Sequence, residues 1–318
     1  MGKALALGGM AGGESAGSKG ASGAPGVRIA PGALLVWASL VAVYVLWGST
    51  YFAMRVAVMG GLPPYMMGGA RFVAAGGVLY AFLRARGAPS PTLREWRGAA
   101  VVGGLFFAGG NGPIAIAEQH VSSGLAAVVV ATMPVWTMIF STFWGERPSR
   151  TDVIALLVGF AGVAILASGS ELRGEPWAAL LLLFSPACWA LGSLSSRRVA
   201  LPAGAMAAAA QMLVGGVVML AIGTVRGEHV APSVPASAVY AVLYLVVFGS
   251  LVGFSAYGHL LRSTRPAVFT SYAYVNPVVA LALGALLGAE RITASTVLGA
   301  GVILAGVSGL TLGRARRR

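Results

Sequence analysis

The sequence predicts an all-α integral membrane protein of ten transmembrane helices arranged as two inverted five-helix repeats. Three observations carry that prediction: a composition nearly free of charge, uncharged intervals of bilayer-spanning length, and an echo between the two halves at an offset of 139 to 144 residues. Of 318 residues, 57% are hydrophobic and only 10% charged, against about 50% and about 25% in soluble domains. The mean hydropathy is +0.82. So few charges cannot cover a water-facing surface of this size, which excludes the soluble classes. The single cysteine, Cys188, excludes an intrachain disulfide framework and a cysteine-rich metal site.

Residues 1–32 hold ten glycines, and Gly8, Gly9, Gly12 and Gly13 interrupt any apolar core of signal-peptide length. This stretch is expected to be a disordered cytoplasmic tail, with the first span starting near Ala33. Uncharged runs follow of 26 (Arg28 to Arg55), 20 (Arg97 to Glu118), 27 (Glu118 to Glu146), 18 (Asp152 to Glu171) and 21 residues (Glu175 to Arg197). Later runs measure 27 (Arg198 to Arg226), 33 (Glu228 to Arg262), 24 (Arg265 to Glu290) and 22 residues (Arg291 to Arg314). A bilayer core takes roughly 17–25 helical residues, so each run holds one span and none holds two. The tenth span is read from Tyr65 to Leu83, interrupted by Arg71 alone. Apolarity that continues for about 20 residues separates these runs from barrel strands, which alternate over about 10. The expected units are the tail at 1–32, a first repeat at 33–169 with helices 1–5, a second at 170–313 with helices 6–10, and a basic cytoplasmic tail at 314–318.

The net charge of +13 raises a nucleic-acid reading, which the positions of the 22 basic residues remove. With the amino terminus inside, 17 of them fall in inside segments, and only Arg173, Arg226 and Arg291 fall outside. That bias is the positive-inside pattern of an even number of spans with both termini in the cytoplasm. A nucleic-acid binder would gather its cations on one face. The expected partners are a small-molecule substrate and the lipid bilayer, with a homodimer left open and no nucleic acid.

The halves repeat in order. Trp47 precedes Arg55 by eight residues as Trp189 precedes Arg197; Arg71 corresponds to Gln211, with Gly76-Gly77 and Gly215-Gly216 behind them. Pro134 corresponds to Pro277, and Glu146 with Gly162-Val163 to Glu290 with Gly306-Val307. Such self-similarity marks a duplicated unit. Five spans per unit force the second copy to enter the membrane from the opposite side, and inverted repeats are the build of alternating-access carriers.

Leu46-Trp47-Gly48-Ser49-Thr50-Tyr51-Phe52, Arg71-Phe72, Gly110-Asn111-Gly112, the run from Ala126 to Pro134, and Ser271-Tyr272-Ala273-Tyr274-Val275-Asn276-Pro277 resemble the EamA family of the drug/metabolite transporter superfamily. The likeness is strongest to its inner-membrane exporters and covers about residues 34 to 313. It implies ten helices in two repeats, a central cavity, export of small metabolites, amino acids or drugs, and a bacterial inner-membrane location. Substrate identity does not carry over.

Polar groups at membrane depth are costly unless paired, which makes them functional candidates. Arg71 is read as a cavity cation for a substrate carboxylate, against a structural residue bonded to carbonyls or snorkelling outward. Asn111 sits between glycines before Pro113, where a loosened helix exposes backbone to a ligand; helix packing is the plainer reading. Trp47, Tyr51, Trp189, Tyr257, Tyr272 and Tyr274, with Asn276 before Pro277, are read as an aromatic, hydrogen-bonding wall for an amphipathic solute. Glu118 is the acid nearest membrane depth and a candidate for proton coupling, although such an acid is more often solvated at a helix end. Glu290 is read as a cap or salt bridge of the next turn, and Gly159, Gly162, Gly299, Gly301 and Gly306 as close-contact positions.

No cofactor is expected, and no Gly-rich run ends in Gly-Lys-Ser or Gly-Lys-Thr for ATP. The competing functions are a lipid-modifying membrane enzyme, which would need clustered His, Asp or Glu at one depth, and a channel, which would need charged rings or a carbonyl filter. Neither pattern is present in the sequence, and a transporter without enzymatic activity is expected.

Overall fold

The structure is a computed structural model that describes residues 31–143, 145, 149–168, 175–264 and 272–315. Of the expected tails at 1–32 and 314–318, residues 1–30 and 316–318 lie outside the described residues, whereas residues 31–32 and 314–315 are helical; Glu146, Ser271 and the side chain of Tyr274 also lie outside. Among the described residues all regular structure is helical. In chain order the helices are α1 (Leu34–Met59), α2 (Pro64–Ala85), α3 (Leu93–Ala117), α4 (Ser123–Thr142), α5 (Arg150–Ala167), α6 (Pro176–Ser195), α7 (Ala205–Val225), α8 (Ala236–Leu260), α9 (Tyr272–Leu287) and α10 (Ala294–Ala315). Seven of them are long and apolar enough to cross a bilayer. The other three, α5, α9 and α10, contain shorter apolar stretches at Leu157–Leu166, Val275–Leu287 and Ala294–Gly306.

Local chemistry sets several helix starts. Pro64 and Pro176 open α2 and α6, where a missing N–H costs nothing and φ is already helical. Thr92 caps α3 in a capping box: its Oγ1 accepts from Glu95 N while Glu95 Oε2 accepts from Thr92 N at 2.7 Å. Large apolar side chains such as Trp37, Phe143, Tyr240 and Leu286 stand exposed around the bundle, as a lipid-facing perimeter requires.

Two antiparallel crossings organise the interior. Along α2 and α7, a Cβ added to Gly69 would stand 2.9 Å from Gly216 O, and one on Gly76 3.0 Å from Ala209 O. Along α5 and α10, Gly162 and Gly299 meet reciprocally, a Cβ on either lying 3.0 Å from the other's carbonyl oxygen. Backbones this close leave room only for hydrogen, which is how apolar helices gain contact in lipid. Gly301 does not fit its expected role, since among the described residues nothing lies within 4 Å of a Cβ there.

Three helices are interrupted by wider turns. α1, α3 and α8 pass through π-helical segments at Val43–Trp47, Gly104–Asn111 and Leu245–Val252. Such segments rotate side chains off the regular helical face, and they concentrate at functional sites.

Candidate solute site and the charged cluster beside it

Two of the π segments, those of α1 and α3, each end on a residue, Trp47 and Asn111, that lines a cavity of about 70 Å³ between the halves. Trp47, Thr50, Tyr51 and Met54 of α1 line it from a single helical face, with Arg71 of α2, Asn111 and Ile114 of α3, and Ala127 of α4. Trp189 of α6, Phe254 of α8, and Tyr272 and Asn276 of α9 complete the wall.

Its aromatic side is built by exchange between halves. Trp47 of α1 lies against Gly253 of α8, where a Cβ would come within 2.5 Å of indole Nε1; Trp189 of α6 lies in the same way, at 2.5 Å, against Gly110 of α3. The indoles meet edge-on with centroids 6.0 Å apart. Phe106 stacks on Trp189 at 4.5 Å, and Tyr272 stands perpendicular to Trp47 at 5.2 Å. Trp47 Nε1 donates to Gly249 O at 3.2 Å, so the ring has little freedom.

Arg71 enters this wall with 3% of its surface exposed. Its Nε donates to Ser250 Oγ at 2.9 Å, and its guanidinium carbon lies 4.6 Å from the Phe72 centroid. Among the described residues no carboxylate forms an ion pair with it. The snorkelling alternative does not apply to a side chain that faces the cavity. Asn111 donates from Nδ2 to Phe106 O at 3.1 Å across the π turn. With its amide turned so that nitrogen faces the two carbonyls, Asn276 donates to Tyr44 O and Tyr272 O, each at 3.2 Å.

Seven of the residues expected at the site thus come together: Trp47, Tyr51, Arg71, Asn111, Trp189, Tyr272 and Asn276. Tyr257 stands one layer back, buried and packed on Trp47 at 4.9 Å. The sequence reading missed Thr50, Met54, Ile114 and Phe254. For Thr50 and Met54 a signal existed, their spacing of three and seven residues from Trp47 on one helical face.

A charged cluster lies beside the cavity, reached through Tyr51 and Met54 of α1. Arg55 Nε pairs with Glu290 Oε1 at 3.3 Å, while its Nη1 donates to Glu118 O at 2.6 Å and to Val121 O. Glu290 Oε1 accepts from Ser123 N at 3.0 Å and Ser123 Oγ at 2.8 Å. Glu290 therefore does more than hold its own turn: it caps α4 and ties the ends of α1, α4 and α9. Ala289, the one non-glycine residue at positive φ (50°) among the described residues, presents it in a strained turn.

Glu118, one residue beyond α3, is fully buried rather than solvated, and neither carboxyl oxygen has a hydrogen-bond partner among the described residues. Burial holds its carboxyl well above the usual carboxylate range, against the opposing pull of Arg55. His120 turns away, pairing with Glu175 at 3.6 Å.

The model of the EamA-like transporter family matches residues 32–168 and again 176–312. The chain belongs to the EamA-like transporter family. The inner membrane transporter YedA of Escherichia coli (strain K12) is 45% identical over 282 residues, 88% of this chain and 92% of that one. The "Probable terminal-alkyne amino-acid exporter" of Streptantibioticus cattleyicolor is 26% identical over 289 residues, covering 88% and 95% of the two chains. A solved crystal structure with 21% identity superposes with a TM-score of 0.60 over 90% of this chain and 99% of that one, which shows the fold alone. As an EamA-like chain with seven membrane-capable helices, this is a membrane-embedded protein whose relatives are named as transporters rather than enzymes.

Proposed function

We propose that the protein is a secondary transporter of the bacterial inner membrane that exports small amphipathic carboxylates by alternating access. One observation carries this reading: the buried, cavity-lining guanidinium of Arg71 has no ion-paired carboxylate among the described residues and faces an aromatic wall. A buried cation is costly without a counter-charge, and a solute carboxylate would supply it while Trp47, Trp189 and Tyr272 cover the apolar body. Amino acids with apolar side chains fit that chemistry, and the amino-acid exporter among the relatives is in keeping with it.

Ten spans in two inverted repeats complete the proposal, with both termini in the cytoplasm and the Arg55–Glu290 cluster at the outer end. The reciprocal crossings support the inversion, since the offset of 140 maps Gly69 against Gly216 onto Ala209 against Gly76. The exchanged Trp–Gly pairs support it too, since Trp47 with Gly253 maps onto Trp189 with Gly110 at 142 and 143. A cavity of about 70 Å³ is well below the roughly 300–1,000 Å³ of a loaded ligand site, so the wall must open before a solute enters. Alternating access makes that same demand.

Solute counterflow in proteoliposomes tests the reading, with phenylalanine, leucine and their decarboxylated amines offered in parallel. The acids should exchange and the amines should not. Arg71→Ala should abolish exchange at unchanged membrane levels, and full activity in that variant would remove Arg71 from the site.

A further inference from the structure

Between the cavity and the Arg55–Glu290 tie stands a buried carboxyl to which solute binding gives no work. Glu118 accepts Arg55 Nη1 at its backbone oxygen, so the guanidinium paired with Glu290 already lies against residue 118. The charged and titratable groups around its carboxyl are Arg55 and Tyr51 from α1, Arg71 from α2, and Glu290 from the turn after α9. Tyr51 and Arg71 also line the cavity, so Glu118 is the link between solute site and closure. The backbone amide of Ser123 is held by Glu290.

Two carboxylates that share the Arg55 guanidinium cannot both be ionised cheaply, Arg71 being held on Ser250. Glu290 has four partners and Glu118 carboxyl has none among the described residues. The closed cluster therefore suits one charged carboxylate, on Glu290, and one neutral carboxyl, on Glu118. Were Glu118 to ionise in place, it would need a donor, and the nearest mobile cation is Arg55.

We propose that Glu118 is a proton-binding site that switches Arg55 between two carboxylates: neutral Glu118 leaves Arg55 on Glu290 and the ends of α1, α4 and α9 tied, whereas ionised Glu118 draws Arg55 away and releases them. The proton passes from Glu118 to water during a transient parting of Arg55 from Glu290, which the ionised carboxylate then holds open, and it returns by the same route. The switch rests on the transporter reading above and gives a proton gradient a point of action on it.

The test reads closure without any solute. Ala127 lines the cavity with 2% of its surface exposed, so Ala127→Cys in a Cys188→Ala background reports access from outside to a membrane-impermeant maleimide in whole cells. Rates are taken relative to the same cysteine in the Glu290→Gln protein, which lacks the tie and cancels the thiol's own pH dependence. The relative rate should rise from acid to alkaline medium by up to about tenfold per pH unit, the limit for one linked proton. Glu118→Gln should stay slow at every pH, and Glu118→Asp should keep the pH response. A parent-like pH response in Glu118→Gln overturns the proposal, as do equal rates in the parent and Glu290→Gln at acid pH. Where Glu118→Gln fails to accumulate, the Asp and Glu290→Gln arms decide. Because no solute is present, failure here leaves the counterflow result standing, and failed counterflow leaves this result standing.

Discussion

Arg71 reaches the cavity because Gly249 carries no side chain. A Cβ there would lie 2.8 Å from Arg71 Nη2 and 2.9 Å from Thr50 Cγ2. Gly249→Ala should therefore cost about 1–3 kcal/mol by overpacking and displace the guanidinium from Ser250. Thermal denaturation in detergent should show the loss and counterflow should fall with it; normal values in both would mean the wall is softer than described. At Glu118 the sign can be worked out for stability. An acid whose carboxyl is raised in the folded protein contributes stability that is complete below its unfolded value and is lost as pH rises toward the folded one. Glu118→Gln should then melt at nearly the parent temperature in acid and above it in alkali, and a pH-independent difference would refute the burial argument. Arg71 was legible in the sequence because a charge inside an uncharged run stands out. Ser250, Gly249 and the burial of Glu118 were not, because each depends on a partner far along the chain, 179 residues away in the case of Ser250.

Helices in this bundle are held apart or together by single hydrogens. Gly162 and Gly299 hold α5 and α10 backbone to backbone, whereas a Cβ on Gly301, on the same helix as Gly299, would meet nothing within 4 Å among the described residues. Gly162→Ala should cost about 1–3 kcal/mol through overpacking, and Gly301→Ala should be neutral or slightly stabilising through helix propensity. Melting curves of the two variants in one detergent check the contrast, and equal losses would place the crossing elsewhere. The sequence marked all of these glycines alike, because a glycine pattern names a helix that can approach closely without naming the face that does. The seven membrane-capable helices, by contrast, were legible from the scarcity of charge along each run, since the cost of a bare charge in hydrocarbon acts on every element separately. The π turns escaped notice in α1 and α8, although Gly110-Asn111-Gly112 pointed to a loosened α3.

At the scale of the molecule, function turns on whether the halves face opposite ways. The α2–α7 crossing and the exchanged Trp–Gly pairs relate residues by offsets of 140 to 143 in both directions, which a two-fold arrangement produces and a simple translation of one half onto the other does not. If each half contains five spans, the connection between them, at residues 169–175, lies on the opposite side of the membrane from the chain's end. The distribution of basic residues makes the same statement independently, with Arg173 alone in that connection and four arginines from Arg314 to Arg318. A fluorescent protein active only in the cytoplasm and a phosphatase active only outside, each fused after Gly174 or after Arg318, separate the possibilities. The Arg318 fusions should fluoresce and lack phosphatase activity, and the Gly174 fusions should do the reverse. Both fusion points on one side would mean an even number of spans per half. The two repeats would then be parallel, and the antiparallel crossings of α2 on α7 and of α5 on α10 could not join equivalent helices.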